Sequence, residues 1–295
     1  MIKILLMTAV WKRPELTAMM VRGLNFPDYA NVRPFFILSE EDPYFLANHA
    51  IVKNYDYLVY PNEPLGRKKN VGLRFARQWD WDYLMELGSD DLYTPLVWKY
   101  YMKPFAERWP VFGFNQIYYY NITDGSAVWM ENYALDHEGE PMPFGALRCI
   151  RRDLIDGVDE LWRDKWFCSM DGCSYQVIKD KGYRAEVIDV GRDPVICDIK
   201  SGVNLTSWPE IEQMKATKID GRWVAGQFGI EDRSGSVKLI DVDMFHKEVC
   251  KLSQRVPGRD AFNSVNERYR DIYGEPRYKN YDSYKSVMSR RYGKV

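Results

Sequence analysis

Two adjacent carboxylates, Asp90 and Asp91, close the run Asp-Tyr-Leu-Met-Glu-Leu-Gly-Ser-Asp-Asp over residues 82–91. The apolar stretch before them reads as a buried strand. Such a strand delivers both acids to its carboxyl end, where open α/β sheets bind ligands. Neighbouring carboxylates repel one another unless a cation stands beside them. Hard oxygen donors suit Mg²⁺ or Mn²⁺, ions that usually share their coordination with a substrate's phosphates. A metal-assisted enzyme acting on a nucleotide is the chemistry these residues predict.

The elements that must position the acids follow from hydrophobic periodicity. Residues 2–10 form a nearly continuous apolar run, a buried strand. Pro14 suits the first turn of a helix continuing to residue 24. Residues 32–38 read as a second strand ending in Ser39-Glu40-Glu41-Asp42-Pro43, and 55–60 as a third. A helix is expected over 68–79 and a fourth strand over 83–87. Strands alternating with helices imply βαβ units and a mainly parallel sheet. Further on, a helix is predicted over 95–109, strands over 111–130 with a turn at Asp124-Gly125, and a strand over 145–151. Helices follow over 153–162 and 171–181, the latter closed by Gly182. A final strand covers 183–190, and the run 198–204 follows it as a loop.

Composition sets the frame. The chain has 295 residues, 46% of them apolar, and a net charge of −1. From residue 251 to the end, eleven Lys/Arg stand against five Asp/Glu, so the tail is basic and the body mildly acidic. The five cysteines fit no zinc spacing and are odd in number, which predicts reduced thiols and a cytoplasmic setting. The apolar start is too short for a signal sequence, and no later stretch is long enough to span a membrane. The three histidines are scattered, and no Walker-type glycine loop or Ser/His/Asp order is present.

The order of motifs carries a resemblance. A first strand leads to Arg13-Pro14, and a second ends in acids. Then come Pro61-Asn62-Glu63-Pro64-Leu65-Gly66 and Lys69-Asn70-Val71-Gly72. The Asp90-Asp91 strand and Pro95 follow, and later Met170-Asp171 before Lys181-Gly182-Tyr183. Over residues 1–205 this resembles the GT-A nucleotide-sugar glycosyltransferases of the family-2 type. The resemblance implies a Rossmann-like mixed, mainly parallel sheet flanked by helices, with a C-terminal helical extension. It implies that Thr8, Val10 and Arg13 line a nucleotide pocket and that Glu41 or Asp42 contacts base or ribose. Gly66, Lys69 and Asn70 would lie near the base and diphosphate. Asp90 and Asp91 would hold Mn²⁺ or Mg²⁺ and the donor, with Asp171 as the catalytic base. Lys200, Lys69 or Arg192 would add positive charge at the diphosphate, and the run 198–204 would close over the donor as a second contact. Two departures stand out: Gly88 occupies a position where the family carries an acid, and Met170 replaces the first acid of its acceptor-side pair.

A leaving nucleoside diphosphate gains negative charge that a divalent ion can meet, and an acceptor hydroxyl must lose its proton to a base. One base on the acceptor side implies direct displacement with inversion. The expected organisation is a catalytic domain over 1–205 and a basic, Tyr-rich extension over 206–295. The implied partners are a nucleotide-sugar donor and a glycan or small-molecule acceptor. Tyrosines interleaved with Arg and Lys over 268–292 could also grip nucleic acid, which admits a hydroxylated base in DNA as acceptor. A nucleotidyltransferase and a non-catalytic sugar- or nucleic-acid-binding protein are the alternatives.

Overall fold

The first apolar run forms strand β1 (Ile2–Ala9), with residues 4–8 buried. A computed structural model describes residues 1–131, 140–165, 170–201, 204, 208–214 and 216–230. From β1 the chain passes through α1 (Pro14–Gly23), β2 (Ala30–Leu38), α2 (Phe45–Val52), β3 (Asp56–Val59), α3 (Leu65–Ala76) and β4 (Tyr83–Glu86). Strand β1 pairs in parallel with both β2 and β4, and β2 with β3, as βαβ units require. Next come β5 (Asp91–Tyr93), α4 (Leu96–Ala106), β6 (Val111–Phe114), β7 (Ile117–Asn121), β8 (Ala127–Met130) and β9 (Cys149–Arg151). Then follow α5 (Arg152–Ile155), α6 (Met170–Asp180), β10 (Glu186–Ile188), β11 (Ile196–Lys200), α7 (Trp208–Gln213), β12 (Thr217–Ile219) and α8 (Gly221–Phe228).

These strands make two sheets. One has seven strands in the order β10-β6-β9-β4-β1-β2-β3, parallel except for β9; the other has five, β12-β8-β7-β11-β5. Alternate residues of the large sheet feed two separate cores. Ile4, Leu6, Phe36 and Tyr83 point into one, and Leu5, Met7, Phe35 and Leu84 into the other. A strand covered on both faces must be apolar throughout, which explains the unbroken runs. The expected mixed α/β class and its mainly parallel sheet are therefore present, flanked by helices.

Several elements depart from the sequence reading. The run 198–204 is not wholly a loop: its first residues belong to β11, antiparallel to β5. Between the acid pair and the helix expected over 95–109, Asp91 opens β5, a strand that was not foreseen. Helix α2 was not foreseen. The helix expected over 153–162 is one turn long. The N–H groups of Leu161 and Trp162 bond instead to Asn70 Oδ1, each at 3.1 Å, so that stretch is tied to α3 rather than wound on itself. The strand expected over 145–151 shortens to β9, since Leu147 sits at φ 63 and breaks the extended backbone. The first compact unit runs Met1–Ser234. Past residue 205, β12 pairs with β8 and Tyr118 packs against Trp223 and Phe228 of α8. Residues 231–295, most of the expected extension, lie outside the described residues. Among those described, no helix is long and apolar enough to cross a membrane.

One glycine shows how tightly α3 is pressed on the sheet. A Cβ at Gly72 would stand 2.1 Å from Ile37 Cδ1. Ala is worth about 1 kcal/mol over Gly inside a helix, but overpacking a closed core costs about 1–3 kcal/mol. Gly72→Ala is thus expected to lower stability, seen as a lower urea midpoint at an unchanged slope. A rise in midpoint would show that Ile37 yields freely.

Candidate functional site

The carboxyl ends of β1 and β4 and the first turns of α3 and α6 enclose a cavity of about 690 Å³. Its polar walls include Arg13, Lys69, Glu86, Asp90, Asp91, Asp171, Asp198, Lys200 and Asn204. Ile117, Tyr119, Met142, Phe144, Met170 and Met214 form its apolar side. Five carboxylates therefore face three cations in one space.

The acid pair is arranged by a turn too tight for a side chain at its first corner. Gly88 N–H donates to Asp91 Oδ2 at 2.7 Å. A Cβ at Gly88 would lie 2.5 Å from that oxygen and 2.9 Å from Asp90 Oδ1. The missing acid at Gly88 is thus excluded by the way Asp91 folds back. Asp90 and Asp91 then part company. Asp90 Oδ2 pairs with Arg13 Nη1 at 2.5 Å and accepts from Asn204 Nδ2 at 2.7 Å. Arg13 reaches it from a left-handed backbone at φ 52, just before α1, and also donates to Ser89 Oγ at 3.3 Å. Asp91 instead faces Asp198, its register partner across β5 and β11. Burial first, and then its Asp198 neighbour, push the Asp91 carboxyl well above the usual range. Burial likewise raises Asp198, partly offset by Lys200, whose Nζ stands 2.6 Å from its Oδ2 and 5.0 Å over the Tyr119 ring.

Lys69 projects one turn beyond Leu65 on the cavity face of α3, the i, i+4 spacing of one helix side. Its Nζ pairs with Glu86 Oε2 at 2.6 Å and lies 5.2 Å over the Trp162 ring. Across the cavity, Asp171 stands in the first turn of α6, where the helix dipole favours negative charge. Gly145 N–H donates to Asp171 Oδ2 at 2.8 Å, and a Cβ at Gly145 would be 2.1 Å from Oδ1. Behind it, Arg148 is buried and donates to the Asp171 carbonyl at 3.0 Å and to Ser174 Oγ.

The remaining expected residues stand elsewhere. Thr8 and Val10 are buried at the end of β1 and do not line the cavity. Asp42 is buried and accepts from Lys12 N, Tyr44 N and Asn48 Nδ2 at 2.6–2.9 Å, so it shapes its own loop. Glu41 and Gly66 are not on the cavity wall. Asn70 is consumed by Trp162, Asp164 and Leu161. Arg192 lies over Trp129, 5.0 Å from its centroid. His49 stacks on Phe45 and meets the Tyr57 ring edge-on; His137 and His246 lie outside the described residues. The sequence reading missed Glu86, Gly145 and Arg148 as site groups, and took Asp198 and Asn204 only as ends of the run 198–204, read as a loop over the donor. Glu86 left a signal, an acid inside an apolar strand two residues from Gly88. Asp198 left no sign of its partner Asp91, because register sets that pairing.

A divalent cation fits this donor set. Asp198 Oδ1 is buried without a partner among the described residues, and the Asp91 carboxyl beside it is destabilised by like charge. No group of three or more candidate ligands stands together among the described residues. That suits an ion binding through one or two carboxylates while its other positions go to water and phosphate. Asp91, Asp198 and Asp90 are then the candidate ligands; Asp198 also pairs with Lys200, and Asp90 with Arg13 and Asn204.

Fold and cavity define an α/β protein with a charged ligand site at the carboxyl ends of parallel strands, where such sheets bind their ligands. No family model and no curated protein matches the chain. Among solved structures, residues 1–349 of S. aureus TarS are 12% identical over 67% of this chain and 60% of that one, at a TM-score of 0.42. A second TarS structure is 12% identical over 88% of this chain and 50% of its own, at 0.44. This chain thus spans no more than 60% of either. Likenesses this slight carry nothing about function.

Proposed function

We propose that this chain is a metal-dependent, inverting glycosyltransferase that moves a sugar from a nucleotide-sugar donor to an acceptor hydroxyl. The observation that carries the reading is one cavity lined by three cations, the Asp91–Asp198 pair and Asp171. Arg13, Lys69 and Lys200 supply fixed positive charge for a diphosphate. Asp91 and Asp198 would hold Mn²⁺ or Mg²⁺, which when bound would stabilise charge on the departing diphosphate. Asp171 takes the acceptor's proton as its oxygen bonds to the anomeric carbon and the sugar–phosphate bond breaks. Attack from the side opposite the leaving group inverts that carbon. The acceptor faces Tyr119, Phe144 and Met142, a wall suited to the apolar face of a sugar or other small ring. A DNA acceptor would rest on residues 268–292, outside the described residues. Free, buried Cys149, Cys173 and Cys197 agree with a reducing, cytoplasmic setting.

The test is thermal shift with nucleoside diphosphates and nucleotide sugars, with and without Mn²⁺. A ligand at a hundredfold excess over its Kd adds about 2.7 kcal/mol. The expected result is a Mn²⁺-dependent shift with one nucleotide class. Asp91→Asn is expected to abolish that dependence and to raise the stability of the ligand-free protein by about 1 kcal/mol, since it removes a buried, repelled charge. No shift with any ligand would sink the reading; a less stable Asp91→Asn protein would show that the two acids do not oppose one another.

A further inference from the structure

Glu86 has no part in the mechanism above, yet it is among the most constrained acids of the cavity. It ends β4 and its side chain is 8% exposed. Its Oε2 is held by Lys69 at 2.6 Å. Its Oε1 is buried with no hydrogen-bond partner among the described residues, and the residue lines the cavity. An unpartnered buried oxygen of this kind costs about 1–3 kcal/mol unless something donates to it. The backbone around it is fixed from the other side as well. Leu147 N–H donates to the Glu86 carbonyl at 2.6 Å, and Glu86 forms a parallel bridge with Ala146. Glu86 therefore stands between Lys69 and the Gly145 turn that cradles Asp171.

The missing donor has a definable chemistry. Lys69 already balances the carboxylate's charge, so a second cation at Oε1 would face an ammonium across a single carboxyl group. A neutral O–H meets the open lone pair without that repulsion, and its bond to a carboxylate is of the strong, charge-assisted kind. The place also matters. At position 88 the folded-back Asp91 leaves no room for a side chain. Glu86, at the end of β4 two residues earlier, brings a carboxylate to the cavity wall instead.

We propose that Glu86 is the specificity-determining residue of the donor site: its Oε1 accepts a hydrogen bond from a hydroxyl of the transferred sugar. This rests on the glycosyltransferase reading. The site would prefer a donor whose sugar carries a free hydroxyl facing β4 and would reject the deoxy analogue, because the carboxylate oxygen is then buried unpaired.

The experiment compares Kd values by calorimetry for a nucleoside diphosphate and its nucleotide sugar, in the full chain and in Glu86→Gln, with Mn²⁺ present. The unsubstituted protein is expected to bind the nucleotide sugar more tightly than the diphosphate. In Glu86→Gln that advantage should fall about tenfold or more, whatever change the freeing of Lys69 makes in binding of the diphosphate itself. Equal loss for both ligands would make Glu86 an accessory of Lys69 at the diphosphate and overturn the proposal, as would no loss for either. If Glu86→Gln does not fold, deoxy and deoxyfluoro donors on the unsubstituted protein answer the question. One deoxy position should cost about tenfold or more, and indifference to every position overturns the proposal. Failure of the wider reading looks different: the unsubstituted protein would then bind no nucleotide sugar, and both would fall together.

Discussion

Asp171→Asn is expected to slow sugar transfer about 10²–10⁴-fold, the usual worth of a positioned general base, while donor binding and the fold persist. The separation follows from the geometry. Asn keeps an oxygen that can accept the Gly145 N–H bond now made at 2.8 Å, so the first turn of α6 stays in place. What it loses is the lone pair that takes the acceptor's proton. Gly145→Ala should reach a similar end by another route. Its Cβ would sit 2.1 Å from Asp171 Oδ1, and the carboxylate would have to leave its cradle. Initial rates with the donor found by thermal shift, alongside calorimetric binding of that donor, check both variants. A rate within threefold of the unsubstituted enzyme, roughly 0.65 kcal/mol of barrier, would remove Asp171 from the chemistry.

The second large effect concerns Lys68, which faces away from the cavity. Its ammonium is fully buried and donates to Val10 O at 2.7 Å, Ser39 Oγ at 2.9 Å and Asn62 Oδ1 at 3.1 Å, tying β1, β2 and the turn before α3 together. Burial pushes its pKa down to about 7, against the pull of Asp42 and Glu41. The unfolded chain keeps this proton up to about 10.5, so between about pH 7 and 10.5 the unfolded state binds more protons than the folded one. Stability from this group therefore rises with pH across that window, by about 1.4 kcal/mol per pH unit at most. Below pH 7 the penalty is fully present and flat. Buried Cys149 and Cys197, whose thiols are pushed up, tilt the curve the other way from about pH 8.5. The informative quantity is thus the difference between the unsubstituted protein and Lys68→Met in urea unfolding from pH 7 to 9.5. That difference should change steadily with pH in favour of the unsubstituted protein. A constant difference would mean that Lys68 stays charged in the folded state.

Much of this was legible in the amino-acid sequence, for physical reasons that differ by residue. The parallel sheet announced itself because strand segments covered on both faces must be apolar, as residues 4–7, 35–38 and 83–85 are. Asp90 and Asp91 stood out because charge at the end of such a strand is costly unless used. Asp171 was visible as an acid in the first turn of a helix, but its role and that of Lys69 came only from the order of motifs and the resemblance it carries. Asp42 and Asn70 misled for a shared reason. A polar residue in a loop or helix reads the same whether it meets a ligand or satisfies backbone N–H groups, and here both do the latter.

What the sequence determined alone is therefore local: the alternation of strands and helices, the covered core, and acids and cations at element ends. The tertiary structure decided which of these meet. Asp198 faces Asp91 only because β11 runs antiparallel to β5 in one register, 107 residues apart in the chain. The carbonyl of Glu86 is met by Leu147, and the carboxylate of Asp171 by Gly145, through turns whose close approach depends on backbone angles and on an absent Cβ. Periodicity fixes the face on which a side chain lies. It carries no information about the element that arrives opposite, because pairing between distant strands is set by the packing of the whole sheet rather than by any local pattern.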